Sequence, residues 1–208
     1  VYEALKAGDL PQAQQRVGHM VGRDTEGMDE QEVVRVTVES VAESIVDGVT
    51  APLFWAVLLG PTGALAYRAV NTLDSMFGYR DERYEKFGWM AARLDDGANF
   101  VPARLTGPLT CLAAGLLGMR GMNAWRVLQR DGGKHPSPNA GRAEAAVAGA
   151  LGVRLGGVNY YAGEASIKPH LGNGEEPLTA DHILGANRLM FVTAGLFLTC
   201  CAVAAVWQ

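Results

Sequence analysis

Three stretches of the chain carry no charged residue, and they set its plan. Residues 48–67 read GVTAPLFWAVLLGPTGALAY, residues 105–119 read LTGPLTCLAAGLLGM, and residues 189–207 read LMFVTAGLFLTCCAVAAVW. A helix that crosses the hydrocarbon core needs about 20 mostly apolar residues. The last stretch meets that, with Arg188 at one end and Trp207 placed as an interfacial anchor. The first contains Pro52 and Gly60-Pro61, and the second is short and contains Gly107-Pro108. These two are expected to be kinked helices or re-entrant pieces, since irregular backbone at membrane depth survives only where protein or water covers it. The pattern predicts an all-α fold: a polytopic helical integral membrane protein with polar loops and re-entrant segments, residues 1–208 forming one domain.

The polar segments between these stretches have periods of their own. Residues 1–30 are expected to form a helical hairpin or arm broken at Leu10-Pro11, followed by the charged turn GRDT at 22–25. From Glu30 to Asp47 the period is helical, with Val34, Val38, Val41 and Ile45 on one face. Glu39, Glu43 and Asp47 recur at every fourth position on another. Like charges at that spacing cost a helix about 0.2–0.5 kcal/mol per pair. The stripe therefore points to a cation, and Mg²⁺ suits oxygen ligands; the blander reading is relief by Arg35 on a solvated face. Residues 67–104 carry Arg68, Asn71 and Asp74 or Ser75 on one helical face, and Arg93, Asp96 and Asn99 on another, with Arg104 after Pro102. Guanidinium forks suit phosphate and carboxylate, although internal ion pairs explain the same residues. In DGGKHPSPNAG at 131–141, Ser137 is expected to cap a following helix with Pro138 at its first position. That helix N-terminus, beside Lys134 and His135, is an anion site in outline, or simply a capped loop. Residues 155–163 read as a glycine-punctuated packing segment.

Composition narrows the function classes. Of 208 residues, 49% are hydrophobic, 19% are charged and 26 are glycine, which excludes disorder, and no Gly-X-Y period supports collagen. The net charge of −4 gives no electrostatic basis for nucleic-acid capture. Cys111, Cys200 and Cys201 lie in apolar runs, where thiols act as small hydrophobes. No Cys/His cluster has zinc spacing, a lone His135 is no argument for zinc, and no Ser-His-Asp or Cys-His arrangement stands out. The chain starts at Val1 with no basic-then-apolar leader pattern, so it is expected to be a processed product or part of something longer. If all three stretches cross, residues 1–47 and 120–188 hold 12 Lys/Arg on one side and residues 68–104 hold 6 on the other. The first side would then face the cytoplasm.

The motifs GRDT at 22–25, VESVAESIVDGVTAPLFW at 38–55, YRAVNTLDSMFGYR at 67–80, RYEKFGWMAARLDDGANFVPARL at 83–105 and DGGKHPSPNAGRAEAAVAGALGVRLGG at 131–157 resemble those of adenosylcobinamide-phosphate synthase. This is the CbiB/CobD-type membrane enzyme of cobalamin (vitamin B12) biosynthesis, and the resemblance runs from about residue 15 to the end. The family's usual N-terminal apolar part is missing here. Its usual AEN reads Ala42-Glu43-Ser44, which leaves position 44 out of any ligand set.

The resemblance implies an ATP- and Mg²⁺-dependent amide synthesis. Aminopropanol, or its O-phosphate, is joined to a propionate of adenosylcobyric acid, a corrinoid, to give adenosylcobinamide (phosphate). It implies that Glu39, Glu43 and Asp47, with Asp74, Asp95 and Asp96, form the catalytic acidic set, the first three holding Mg²⁺. Arg68, Arg93 and Arg104 would grip phosphate or propionate. Lys134, His135, Ser137 and Asn139 would serve the phosphate of amine or nucleotide, and Arg23, Asp24, Asn71, Arg80 and Asn99 would complete the binding set. The implied setting is the inner membrane, multi-pass, with a cytoplasmic active face and lipid around it. A homo-oligomer, or association with other late cobalamin-assembly enzymes, is expected, and nucleic acid is not. Since ATP is cytoplasmic, residues 48–67 are expected to form a hairpin turning at Gly60-Pro61 and not a single crossing. The competing readings are a non-catalytic AmpE-like membrane sensor on the same scaffold and a transporter of corrinoid or anion.

Overall fold

A computed structural model describes residues 1–78, 85–174 and 176–206. The N-terminal arm consists of α1 (Tyr2–Lys6) and α2 (Leu10–Gly18). The expected broken arm is present, with the break at residues 7–9 directly before Leu10-Pro11; Pro11 sits in the first turn of α2, where its missing N–H costs nothing, and Asp9 caps that turn by accepting the Gln12 N–H at 2.9 Å. Helix α3 (Glu30–Ser44) opens with a capping box in which Asp29 accepts the Glu32 N–H and Glu32 accepts the Asp29 N–H. At Ile45 the helix widens into a π-helical turn, Ile45–Thr50, before α4 (Ala51–Phe77). Then come α5 (Glu85–Leu116), α6 (Gly121–Asp131), α7 (Ala140–Leu151), the strands β1 (Leu155–Tyr161) and β2 (Glu164–Leu171), and α8 (Asp181–Val206).

The core forms around α3 and α7. Val33, Val34, Val36, Val38 and Ala42 of α3, and Ala143 and Ala145 to Ala148 of α7, are fully buried. A helix that is apolar and small all round belongs in the centre of a bundle, and α6 approaches it closely: a Cβ on Gly149 would lie 2.7 Å from the Ala124 Cα. The all-α expectation needs one correction, because the glycine-punctuated segment folds as an antiparallel β1–β2 hairpin. Its two-residue turn has positive φ at both Ala162 (49°) and Gly163 (82°), the signature of a type I′ turn. Alanine is strained there, and Asp24 offsets the strain by accepting the Ala162 and Gly163 N–H groups at 3.1 and 2.7 Å.

Helix α4 is two helices. Gly60 has φ 67° and ψ −162°, a conformation almost confined to glycine, and Pro61 follows it. Beyond this corner the chain runs back: a Cβ on Gly63 would collide with the Trp55 carbonyl, and the Tyr67 hydroxyl donates to the Asp47 carbonyl at 3.4 Å. Had α4 continued straight, those two residues would be about 30 Å apart. The expected hairpin at Gly60-Pro61 is therefore the observed fold. Among the described residues, Glu30–Phe77 and Asp181–Ala204 are by length and composition the two helical stretches apolar enough to cross a membrane. The first is folded back on itself, with an uncharged outgoing arm, residues 51–59, about 14 Å long. Large apolar side chains face outward on the hairpin (Leu58, Leu59, Leu65), on α5 (Leu105, Leu112, Leu116) and on α8 (Phe191, Leu198, Val203).

A Cβ at Gly60 would meet no atom within 4 Å, so the cost of changing it lies in the backbone alone. Gly60→Ala should lose about 1–3 kcal/mol of stability, read as a lowered melting temperature in detergent; an unchanged melt would mean that the corner does not require glycine.

Candidate functional site

Folding back α4 brings the polar motifs into one cleft of about 620 Å³. One wall is acidic: Glu43 from α3, Asp47 from the π-helical turn, Asp74 from α4 and Asp95 from α5. The facing wall carries Arg23, Tyr161 and Lys168, with His135 and Ser137 from the loop before α7.

The acidic wall is held by amides. Asp95 accepts from Asn71 Nδ2 at 3.2 Å and from Asn99 Nδ2 at 3.0 Å, and the Asn99 Oδ1 accepts the Tyr67 hydroxyl at 2.9 Å. Arg68 closes the chain by donating to Asn71 Oδ1 at 3.2 Å. Burial pushes the Asp95 carboxyl above its ordinary range, against the pull of the two amide donors. Asp96 rises as well, through burial and then the neighbouring Asp95 charge. Asp96 gives its backbone carbonyl to Asn139 Nδ2 at 2.8 Å.

The opposite wall rests on Glu39. Its Oε2 accepts from Arg23 Nη1 at 2.6 Å, and its Oε1 accepts from Arg35 Nη1 at 3.1 Å and from the Gly156 N–H at 2.8 Å. Both guanidinium groups also reach Asn159 Oδ1, at 2.8 and 3.1 Å, and Arg35 Nη2 donates to the Val158 carbonyl at 3.0 Å. Glu39 thus faces two guanidinium groups and a backbone N–H and does not line the cleft, so its expected metal role gives way to an ion-pair role. The blander reading had the right partner, Arg35, but the wrong place: Glu39 is 0% exposed and Arg35 8%.

Other sequence-predicted residues are drawn elsewhere. Asp24 holds the hairpin turn. Lys134 Nζ lies 2.7 Å from Asp131 Oδ1 and, with Arg130, clamps that carboxylate, which also accepts the Gly172 N–H. Arg93 is exposed, 5.8 Å from the Trp89 ring. Arg104 stacks 3.2 Å from the Phe100 ring and donates to the Phe100 carbonyl and to Asn139 Oδ1, tying the loop to α5. These side chains do not line the cleft, and Arg80 lies outside the described residues. Ser137 Oγ accepts from the Asn139 and Ala140 N–H groups at 3.3 and 3.4 Å, so it does cap α7, but the N-cap position is Asn139 and Pro138 precedes the helix.

Sequence reasoning missed Lys168, whose Nζ is 3.7 Å from Glu43 Oε1, and Glu144, which is 1% exposed behind Glu43 and His135. Burial and then the Glu43 and Glu39 charges raise the Glu144 carboxyl well above its usual range. Burial and then the Lys168 charge lower the His135 imidazole. A lone acid in an alanine helix was a visible signal for Glu144; Lys168 offered none until the hairpin placed it.

The fold and cleft define a mainly helical protein with apolar outer helices and a polar, two-signed cleft. It belongs to the CobD/CbiB family: the family model described as "CobD/Cbib protein" matches residues 1–190. Relatives named "Cobalamin biosynthesis protein CobD" include that of Geobacter metallireducens, 55% identical over 191 residues (92% of this chain, 60% of the relative). That of Leptospira interrogans is 50% identical over 194 residues (93% and 62%), and that of Clostridium perfringens is 45% identical over 190 (91% and 60%). The chain thus spans about 60% of the length of the curated relatives it matches. No solved structure matches.

The clamp on Asp131 sets a pH signature. Arg130 holds this carboxylate well below the usual range, with help from Lys134 and the Gly172 N–H. A depressed carboxylate stabilises the fold above its unfolded pKa of about 3.9 and loses that contribution as pH falls. Asp131→Asn should therefore melt below the wild type at neutral pH, the gap closing as the pH is taken below about 4; a gap independent of pH would contradict the clamp.

Proposed function

We propose that the chain carries the reaction cleft of a cobalamin-biosynthesis enzyme that joins aminopropanol, or its O-phosphate, to a propionate of adenosylcobyric acid at the expense of ATP. Family membership supports the pathway. The observation that carries the chemistry is the two-signed cleft: carboxylates on one wall, Lys168 and the Arg23 pair on the other.

A propionate carboxylate is a poor acyl donor because oxide would have to leave. Transfer of a phosphoryl group to it supplies a leaving group, the amine then attacks the acyl carbon, phosphate departs with the bonding pair, and the nitrogen gives up its protons. Asp47, Asp74 and Asp95 line the cleft with oxygen alone, the donor type that suits Mg²⁺, and an Mg²⁺-nucleotide would lie along this wall. Mg²⁺ supplies neutralisation of phosphate charge. Lys168 faces the cleft as a point charge for a phosphate, and Ser137 borders it at the start of α7. Asn71 and Asn99 fix the Asp95 carboxylate without neutralising it, and Tyr67 orients Asn99. A proton acceptor is needed for the ammonium, and the cleft offers carboxylates within reach.

The apolar outer surface supports a membrane setting in which α8 crosses the bilayer. The hairpin, whose arm of about 14 Å is half of the roughly 30 Å core, enters and leaves on the cytoplasmic face. That arrangement keeps the cleft on the side where ATP is.

The test is product formation by a full-length protein containing this chain, incubated with adenosylcobyric acid, aminopropanol phosphate and Mg²⁺-ATP and read by mass. Amide product is expected from the wild type, and Asp47→Ala with Asp74→Ala should abolish it while the circular dichroism spectrum is kept. An active double variant would remove the metal assignment. A folded wild type with no product would favour the AmpE-like sensor reading.

A further inference from the structure

We propose that Glu43, His135 and Glu144 form a second cation site, distinct from the aspartate wall, that takes a first-row transition ion of the Zn²⁺ type.

Helix α7 lies at the buried centre of the bundle. Its buried faces are alanine, glycine and valine, apart from one carboxylate, Glu144, at 1% exposure. Neither carboxylate oxygen has a standing donor, the neighbour within hydrogen-bond reach being the Glu43 carboxylate, and the His135 Nε2 that faces Glu144 has no partner. Polar atoms this deeply buried are nearly always satisfied, so three unsatisfied atoms converging from two elements point to something that joins them. Glu43, at the end of α3, supplies the third side chain, and one donor atom from each residue lies within 4.8 Å of the other two.

The spacing fits an ion better than a direct contact. His135 Nε2 and Glu144 Oε1 are 3.6 Å apart, too far for a hydrogen bond. Two ligands about 2.1 Å from one ion at a tetrahedral angle lie about 3.4 Å apart. The charges agree as well. With both carboxylates ionised, the one nearby cation would be the Lys168 ammonium 3.7 Å from Glu43, and the second negative charge would fall to the ion. Glu39 also stands close to the group, but Arg23 and Arg35 satisfy it.

The donor set chooses the metal. A nitrogen ligand beside two carboxylates suits Zn²⁺ and its neighbours, whereas the oxygen-only aspartate wall suits Mg²⁺. His135 Nδ1 accepts the Ser137 N–H at 3.0 Å, which leaves the neutral ring's proton on Nε2. Binding therefore moves that proton from Nε2 to Nδ1, which frees Nε2 for the ion and gives up the Ser137 contact. The three ligands come from α3, the loop before α7 and α7 itself, so the ion would fasten the cleft floor to the buried centre of the bundle.

The experiment uses full-length protein stripped with chelator and titrated with Zn²⁺, with metal content measured by mass spectrometry and affinity by chelator competition. One Zn²⁺ per chain is expected. Glu144→Gln and His135→Ala should each weaken it by more than the roughly 10–100-fold that loss of an outer-shell partner costs. X-ray absorption on the Zn²⁺ form should show one imidazole nitrogen among oxygens, a readout that holds even if a variant fails to fold. Mg²⁺-nucleotide binding by Glu144→Gln, which lies outside the cleft lining, should be unchanged, so the aspartate wall is tested separately. Absent or substoichiometric Zn²⁺, or equal affinity in wild type and Glu144→Gln, would overturn the site; Glu43 and Glu144 would then be joined by a shared proton and no ion.

Discussion

The buried ion-pair cluster of Glu39 with Arg23 and Arg35 is the constraint on which the cleft depends. Taking one carboxylate and two guanidinium groups out of water is costly, and a buried pair of this kind is weak grounds for stability in itself. What it does is fix position. Arg23 comes from the turn after the N-terminal arm, Arg35 and Glu39 from successive turns of α3, and Gly156, Val158 and Asn159 from β1. Five hydrogen bonds and one backbone N–H therefore decide where the β-hairpin stands against α3, and with it where Lys168 and Tyr161 face the acidic wall. Gly156 and Gly157, at φ 84° and 101° beside the irregularity in β1, let the strand bring its N–H to the Glu39 oxygen.

The acidic wall has a different origin, in two departures from regular helix. The first is the π-helical turn Ile45–Thr50, which changes the phase of the chain where Asp47 sits. A stripe at every fourth residue assumes one uninterrupted α-helix; here the repulsion is resolved piecewise. Glu39 takes two arginines, Glu43 faces Lys168, and Asp47 leaves the α-helical register. The second departure is Gly60, which returns Asp74 to the level of Asp47 and lets Asp95 of α5 join them.

This explains which features could be read from the sequence. The uncharged runs, the α3 period, the break at Gly60-Pro61 and the capping hydroxyl of Ser137 all follow from local rules, and the structure has each of them. The β-hairpin does not, because its Ala-Gly turn is tolerated through Asp24, 138 residues away from Ala162. Nor could the partners of Arg104, Lys134 and Glu39 be chosen from spacing. Each had both a complementary group of the protein and an external ligand open to it by spacing alone, and only tertiary packing gave the protein group. Lys168 and Glu144 show the converse: residues of no local interest acquire it when β2 and α7 are set beside α3.

The hairpin corner shows how the fold reconciles apolar surroundings with a shared polar cleft. A straight passage through residues 48–67 would place Asp47 and Asp74 at opposite ends of an apolar rod. Folding back at mid-length keeps them together, but it exposes a break in the helical hydrogen-bond ladder at the tip, where Leu58 and Leu59 face outward. In the proposed re-entrant setting each unpaired backbone group at the tip would be expensive. Pro61 reduces the cost directly, since the first residue of the returning arm would present an unpaired N–H and proline has none. Gly60 supplies the left-handed geometry without a side chain to strain it. The dipeptide that makes residues 48–67 a poor spanning helix is thus what allows the acids beyond its two ends, Asp47 and Asp74, to stand in one wall.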